Sequence, residues 1–225
     1  MNTEVGEAGL GCVRTVDTRD PQRVPLPMQR ALDCLICLLA APLALLAGAI
    51  ITFLIRLDGG PAFYSQRRIG LGGRSFDCLK FRSMVPDAEE HLEQLLACDP
   101  AARAEWDRYQ KLAEDPRVTR LGKLIRASSL DELPQLVNVW RGDMSIVGPR
   151  PIMADQIALY GENFRDYCML RPGITGLWQI AGRNNCTFAE RVNLDMEYAR
   201  TWSVLNDLRI IVLTIPAVLA RTGAR

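Results

Sequence analysis

The stretch from Ala31 to Ile55, ALDCLICLLAAPLALLAGAIITFLI, constrains this chain more than any other. Apart from Asp33 near its start it carries no charge. As one straight helix its roughly 25 residues would reach across a hydrocarbon layer about 30 Å thick. It is too long, and begins too far from Met1, for a cleavable export signal. Two features oppose a simple crossing. Pro42 sits near the middle, where it removes a helix hydrogen bond and bends the axis. Arginines flank both ends, with Arg19, Arg23 and Arg30 before and Arg56, Arg67 and Arg68 after, and basic residues collect on the cytoplasmic side of a membrane. A straight span, a helix broken at Pro42 that leaves by the leaflet it entered, and a buried soluble helix all stay open on these residues. The re-entrant form is the expectation, because it satisfies the proline and both basic flanks.

Composition narrows the rest. The formal net charge is +1, so no nucleic-acid partner is expected. The seven cysteines are odd in number and unpatterned, which fits a reducing compartment better than a disulfide framework. Cys34 and Cys37 have CxxC spacing but lie inside the apolar run with no second pair nearby, and read as small apolar helix residues. The single histidine, His91, stands in an acidic stretch and reads as a solvated helix residue, so histidine acid–base catalysis is not expected. Asn185-Cys186-Thr187 matches a glycosylation sequon that a cytosol-facing chain would not use.

Residues 1–27 are rich in glycine, proline and charge and are expected to be disordered. After the apolar run, AFYSQRRIG and RSFDCLKFRSM read as two strands joined at Gly70-Leu71-Gly72-Gly73, a hairpin turn rather than a phosphate loop. Asp87–Glu114 reads as an acidic helix, Leu130–Trp140 as a short helix, Arg141–Pro151 as a tight loop, 152–168 as helical, Arg171–Gly182 as a glycine-rich loop and Phe188–Trp202 as a helix. In the tail Val204–Ala220, Leu205, Leu208, Val212, Ile215 and Leu219 share one helical face, suited equally to a core or to a membrane interface.

The densest motif is SSLDELPQLVNVWRGDMSIVGPRP, Ser128 to Pro151. Asp131 and Glu132 are adjacent carboxylates beside a helix start, either capped by Ser129 with Glu132 or begun at Pro134. Glu132 alone could be no more than a cap. A helix N-terminus favours anions, and paired carboxylates suit Mg²⁺ shared with substrate phosphates. Arg117, Arg120, Arg126, Arg141 and Arg150 surround the dyad in sequence, and arginine pairs with phosphate through a planar fork. The Gly148-Pro149-Arg150-Pro151 turn would hold Arg150 in one pose, and an X-Pro bond there could be cis. Lys80 and Arg82 form a second basic pair, placed by alternation opposite Phe81. Carboxylates, arginines and a rigid turn together point to phosphoryl chemistry.

On these residues the chain resembles the monotopic phosphoglycosyl transferases, also called bacterial sugar transferases. The resemblance runs from about Arg30 to Arg221. It includes Arg30, Asp33, Pro42, Gly60-Pro61, Gln66, Arg68, Gly70, Lys80-Phe81-Arg82, Asp115-Pro116-Arg117 and Ser129 to Leu136. It continues through Gly142 to Ser145, Val147 to Pro151, Arg171 to Gly176 and Trp178-Gln179. Ser83 stands where the family usually has threonine, and Ala41 where serine often precedes the helix-breaking proline.

The resemblance implies an α+β, mainly helical fold. A re-entrant membrane helix (28–57), anchored near Arg30 and Asp33 and broken at Pro42, would join a compact cytosolic catalytic domain (58–225) with a small β-hairpin or sheet and interfacial amphipathic helices. It implies Asp131 as the nucleophile toward the β-phosphate of a UDP-sugar, and Glu132 as a Mg²⁺ ligand with Asp131 or as activator of the acceptor phosphate. Lys80, Arg82, Arg126 and Arg150, with Pro149 shaping the turn, would contact phosphates. The acceptor would be undecaprenyl phosphate in the lipid of the bacterial inner membrane, met on the cytoplasmic face. The short length and the stretches GGPAFYSQRRIG and LTIPAVLARTG most resemble members that initiate exopolysaccharides, with galactose-1-phosphate the expected group and glucose-1-phosphate the alternative. A homo-oligomer is left open. A non-catalytic assembly scaffold would have no use for Asp131, Glu132 and their arginines, and a Mg²⁺-dependent phosphodiesterase would have none for the apolar run.

Overall fold

The computed structural model of the chain describes residues 26–57, 59–109, 112–181 and 187–219. The disorder expected for 1–27 falls almost wholly outside these residues, as do Asn185 and Cys186 of the sequon, Gly182, Ala220 and Arg221.

The chain opens on α1 (Leu26–Arg56), a 31-residue helix with Pro42 inside it, so the break expected at Pro42 does not divide it into two helices. Its buried positions cluster at its two ends. Gln29, Asp33 and Cys37 are spaced at i, i+4 and i+8 on one face, and Ile51 and Ile55 repeat that spacing near the end. Between them the helix is bare, with Leu39, Leu43, Leu45 and Leu46 all more than 60% exposed. Among the described residues it is the one helix long and apolar enough to cross a membrane.

Two strands follow as expected, β1 (Phe63–Ile69) and β2 (Ser75–Phe81), antiparallel with Phe63 opposite Phe81 and Ile69 opposite Ser75. A single 3-10 turn, Leu71–Gly73, joins them, and Gly72 takes the left-handed φ of 69° that glycine tolerates. The acidic stretch forms two helices rather than one, α2 (Ala88–Cys98) and α3 (Pro100–Tyr109). Pro100 has no N–H to continue α2, and Asp99 turns extended to cap α3 through the N–H groups of Ala101 and Ala102. His91 is exposed on α2. Next come α4 (Arg120–Ala127), capped by the Thr119 hydroxyl, and α5 (Gln135–Arg141).

The two segments expected to be loops each carry a short strand. β3 (Ser145–Val147) and β4 (Gly173–Thr175) pair in parallel, an arrangement no local signal announces because 25 residues separate them in sequence. Between these strands, 152–168 is not one helix. It breaks into 3-10 and α fragments, the α pieces being α6 (Ile157–Tyr160) and α7 (Phe164–Tyr167), interrupted at Gly161 with φ 52°. The chain closes with α8 (Leu177–Ala181), α9 (Phe188–Thr201) and α10 (Val204–Leu219). Thr187 and Glu190 form a reciprocal capping box on α9.

Three apolar clusters hold these pieces. One joins α1 through Cys37 to β2, α5, β3, α9 and α10. A second packs Tyr160, Tyr167, Phe188, Val192 and Met196 beneath Ile69 and Ile152. A third packs Ile51 and Ile55 of α1 on Phe81 and Ile125. Polar groups fix the start of α1 to the same body. Asp33 accepts from the Ser145 hydroxyl and the Ile146 N–H, Arg30 donates to the terminal carbonyls of α5 at Val139 and Trp140, and Gln29 donates to the Val147 carbonyl and to Tyr198 and Asp207. The expected face of α10 is turned outward, with Leu205 78% exposed and Leu208, Val212 and Ile215 also exposed, while Asp207 and Ile210 on the opposite side are fully buried. Core packing therefore does not explain that face.

Candidate active site

Asp131 and Glu132 lie in a 3-10 turn, Leu130–Glu132, between α4 and α5. The chain enters it through Ser129, held at φ 56°, where a non-glycine residue is uncommon. Ser129 makes no side-chain cap, so the capping-box reading of Ser129 and Glu132 is not realised. Of the two proposed starts the structure takes the second, with Pro134 at helical dihedrals and the helix running from Gln135.

Glu132 is instead engaged by Lys80, whose Nζ donates to Oε1 at 2.8 Å. Burial opposes charge on Glu132, but the attraction and hydrogen bond of Lys80, the charge of Arg150 and a hydrogen bond from Gln135 together hold it below the usual carboxylate range. Asp131 is 8% exposed, and its carboxyl is pushed up to about 6 by burial, with the Glu132 charge adding and Lys80 and Arg126 pulling the other way. Two adjacent carboxylates thus sit in unlike environments, one firmly ionised and one titrating nearer neutrality.

Lys80 reaches the dyad because β2 alternates, with Phe76, Cys78 and Lys80 on one face. Arg82 does not follow it. The strand ends at Phe81, and the Arg82 guanidinium turns to the Ile55 carbonyl at 3.4 Å and lies where a Cβ on Gly60 would collide with it. It is not among the residues lining the cleft. Arg126 stays close, its Nε donating to Ser83 Oγ at 2.8 Å and its charge felt at Asp131. Arg117 is spent on Asp115 in a two-bond pair at 2.8 and 2.6 Å, while Arg120 and Arg141 are exposed.

A cleft opens beside the dyad, lined by Arg68, Cys78, Lys80, Glu132, Gln135, Arg150, Pro151, Gly173, Ile174 and Trp178. Its rim is the Gly148–Ile152 turn, in which every backbone polar group named below has a partner. Gly148 N–H donates to Thr175 O, Pro149 O accepts from Gly173 N–H, Pro151 O accepts from Arg68 and Ile152 O accepts from Ile69 N–H. Prolines at 149 and 151 have no N–H to satisfy. No described peptide bond is cis, including those at Pro149 and Pro151. A side chain could not fit where this turn crosses β4, since a Cβ on Gly148 would stand 2.3 Å from Arg171 O and one on Gly173 2.1 Å from Gly148 N. The Arg150 guanidinium lies 4.6 Å over the Trp178 ring, a cation–π contact that presents it to the cleft.

Lys80, Glu132 and Arg150 therefore converge, Asp131 and Arg126 adjoin them, and Arg82 stands apart. Arg68 and Trp178 belong to the resembling stretches but had no assigned role, and Gln135 was one letter of a motif. Their part in the cleft depends on contacts between elements far apart in sequence. No group of three or more His, Cys, Asp or Glu residues gathers among the described residues, so any cation here would rest on the two carboxylates and on substrate oxygens. An all-oxygen dyad beside basic side chains fits Mg²⁺ held in that way.

Known proteins resemble the chain throughout this region. A family model described as bacterial sugar transferase matches residues 24–221. The exopolysaccharide production protein ExoY of Sinorhizobium fredii is 48% identical over 200 residues, covering 87% of each chain. The undecaprenyl-phosphate galactose phosphotransferase of Salmonella typhimurium is 47% identical over 190 residues, 84% of this chain and 39% of that one. The UDP-glucose:undecaprenyl-phosphate glucose-1-phosphate transferase of Caulobacter vibrioides is 39% identical over 209 residues, 87% of this chain and 71% of that one. The chain spans 36%, 41% and 39% of the length of three relatives, from Haemophilus influenzae, Erwinia amylovora and Salmonella typhimurium.

Proposed function

The chain belongs to the bacterial sugar transferase family, and on that premise we propose that it transfers a hexose-1-phosphate from a UDP-sugar to undecaprenyl phosphate, releasing UMP, as the first membrane step of exopolysaccharide or glycoconjugate assembly. The observation that carries this reading is the Asp131–Glu132 dyad, set among Lys80, Arg126 and Arg150 beside an apolar helix.

An Asp131 carboxylate oxygen attacks the β-phosphorus of the donor. The bond from that phosphorus to the oxygen bridging to the α-phosphate breaks, and UMP leaves with the electron pair. An aspartyl-phosphosugar remains. An oxygen of undecaprenyl phosphate then attacks the same phosphorus and Asp131 departs as a carboxylate, so two displacements replace one. Lys80, Arg126 and Arg150 offset the charge that gathers on the phosphoryl oxygens. Asp131 and Glu132 would hold Mg²⁺, which would supply further charge neutralisation at the diphosphate.

The donor is UDP-galactose on this reading, supported by 47% identity to the galactose phosphotransferase. UDP-glucose is the alternative, supported by 39% identity to the glucose-1-phosphate transferase. The membrane reading is that α1 re-enters rather than crosses. At 1.5 Å per residue a straight α1 would be about 46 Å long. Both of its ends pack on one polar body, so a crossing would carry part of that body through the bilayer. Its bare middle would lie in lipid, and the outward face of α10 at the interface, on the cytoplasmic side of the inner membrane.

Purified protein in nanodiscs, with Mg²⁺ and undecaprenyl phosphate, should release UMP with one or two members of a UDP-sugar panel. Release should vanish in Asp131→Asn and without Mg²⁺. A hexose phosphate on Asp131 should be found by mass spectrometry when acceptor is withheld. Release that survives Asp131→Asn would refute the assigned nucleophile.

A further inference from the structure

Behind Arg150 lies a buried pair that lines no part of the cleft. Asp195, on α9, is 1% exposed, and its carboxylate accepts the backbone N–H of Arg150. Its Oδ2 also accepts from the Tyr160 hydroxyl at 2.6 Å. Tyr160 is itself 2% exposed, wedged edge-on against Tyr167 and Phe188. The Arg150 N–H is the one backbone donor in the Pro149-Arg150-Pro151 segment, because both neighbours are prolines. Asp195 therefore holds the only backbone donor in that segment, at the residue whose side chain lies over Trp178.

We infer that Asp195, seated by Tyr160, is a positioning residue that sets the Arg150 guanidinium for recognition of the donor diphosphate. The inference rests on the function proposed above, in which Arg150 meets a phosphate. Burial pushes the Asp195 carboxyl up to about 7, while its bonds to Tyr160 and Arg150 and the charges of Arg191 and Arg150 pull it down. A carboxylate is costly at such a depth unless its acceptors are used, and here they are used on Arg150 and on the tyrosine that fixes the geometry. Asn in its place can still accept from the Arg150 N–H and donate to the tyrosine oxygen, whereas Ala can do neither.

The test is a double-mutant cycle on the full chain, read by UDP affinity in titration calorimetry and by KM for the UDP-sugar. Asp195→Ala should weaken UDP by about tenfold, close to the effect of Arg150→Ala, because both remove one charge-assisted contact. In the Arg150→Ala background Asp195→Ala should add less than about twofold. Asp195→Asn should keep the wild-type KM, which a loss of general stability would not predict. If Asp195→Ala does not fold, Tyr160→Phe carries the test, with a smaller rise in KM that also disappears without Arg150. Full additivity of either variant with Arg150→Ala, or an Arg150→Ala that binds UDP as well as wild type, overturns the inference while leaving the transferase intact. Wild-type protein that neither binds UDP nor releases UMP overturns both.

Discussion

Asp33 Oδ1 accepts the Ser145 hydroxyl at 2.9 Å, and the Ile146 N–H reaches the same oxygen at 2.8 Å, so one carboxylate of the apolar helix holds the first two residues of β3. Asp33→Ala strands a buried N–H and should cost about 1–3 kcal/mol. Asp33→Asn keeps an acceptor oxygen and should recover most of that. Thermal unfolding of the two variants in detergent separates them, and equal losses would mean that the charge rather than the acceptor matters.

The Lys80–Glu132 contact predicts a catalytic loss larger than a structural one. Both side chains are largely buried, 26% and 19% exposed, so breaking the pair carries some structural cost, which Tm measures apart from the catalytic loss. Lys80→Met should lower UMP release by roughly 100-fold, the scale of removing one oriented cation or donor from a reaction centre. Lys80→Arg should return part of it. A Tm drop that accounts for the whole loss would refute the assignment.

Three buried carboxyls, Asp195, Asp207 and Asp131 of the dyad, set a pH dependence of stability. Burial raises Asp195 to about 7 and Asp207 and Asp131 to about 6, all above the ordinary 3.8. The folded chain thus binds more protons than the unfolded one between about pH 4 and 7, and its stability falls as pH rises through that window. Tm should decline from pH 5 to pH 8, less steeply in Asp195→Asn. A decline of equal slope in that variant would place the titrating group elsewhere.

Glycine substitutions should divide sharply by location. Gly173→Ala puts a Cβ 2.1 Å from Gly148 N and 2.4 Å from Thr175 O, both backbone atoms that cannot rotate away. It should abolish β3–β4 pairing and activity together. At Gly72 nothing stands within 4 Å, so Gly72→Ala costs only its left-handed φ, about 1 kcal/mol. Amide hydrogen exchange across 145–147 and 173–175 would distinguish the two.

The exposed face of α10 should govern attachment without governing folding. Leu205→Glu with Val212→Glu alters two positions that are 78% and 63% exposed, so Tm in detergent should hardly move. Flotation with vesicles of anionic and zwitterionic lipid should fall relative to wild type. Unchanged flotation would assign all membrane attachment to α1.

Local signals are legible in this sequence and long-range polar ones are not. The apolar run, the hairpin and the outward stripe of α10 each follow from a period visible within twenty residues or so. The dyad was legible because two carboxylates and five arginines share one short stretch. The motif Ser-x-x-Glu misled at Ser129, while Thr187-x-x-Glu190 forms the capping box in full. What separates them is Lys80, nearly fifty residues upstream of the first and absent from the second. Arg82 leaves the Lys80 face for a similar reason, since alternation holds only while the strand lasts and β2 stops at Phe81. The β3–β4 pairing, the Asp195 support of Arg150 and the Gln29–Tyr198–Asp207 bonds carry no period at all. Each is a single buried polar group finding a partner the fold delivers.

The order in which the chain is made gives the anchors of α1 a further consequence. Gln29, Arg30 and Asp33 find their partners in Val139, Trp140, Ser145, Val147, Tyr198 and Asp207. At about 5–20 residues per second, Ser145 emerges roughly 6–20 s after Asp33. Throughout that interval the start of the apolar helix lacks its β3 partners, while its far end can already meet Phe81 and Ile125. On the membrane reading proposed above, α1 enters lipid before the body that will hold its first turns has formed, and the active site is assembled from the membrane outward.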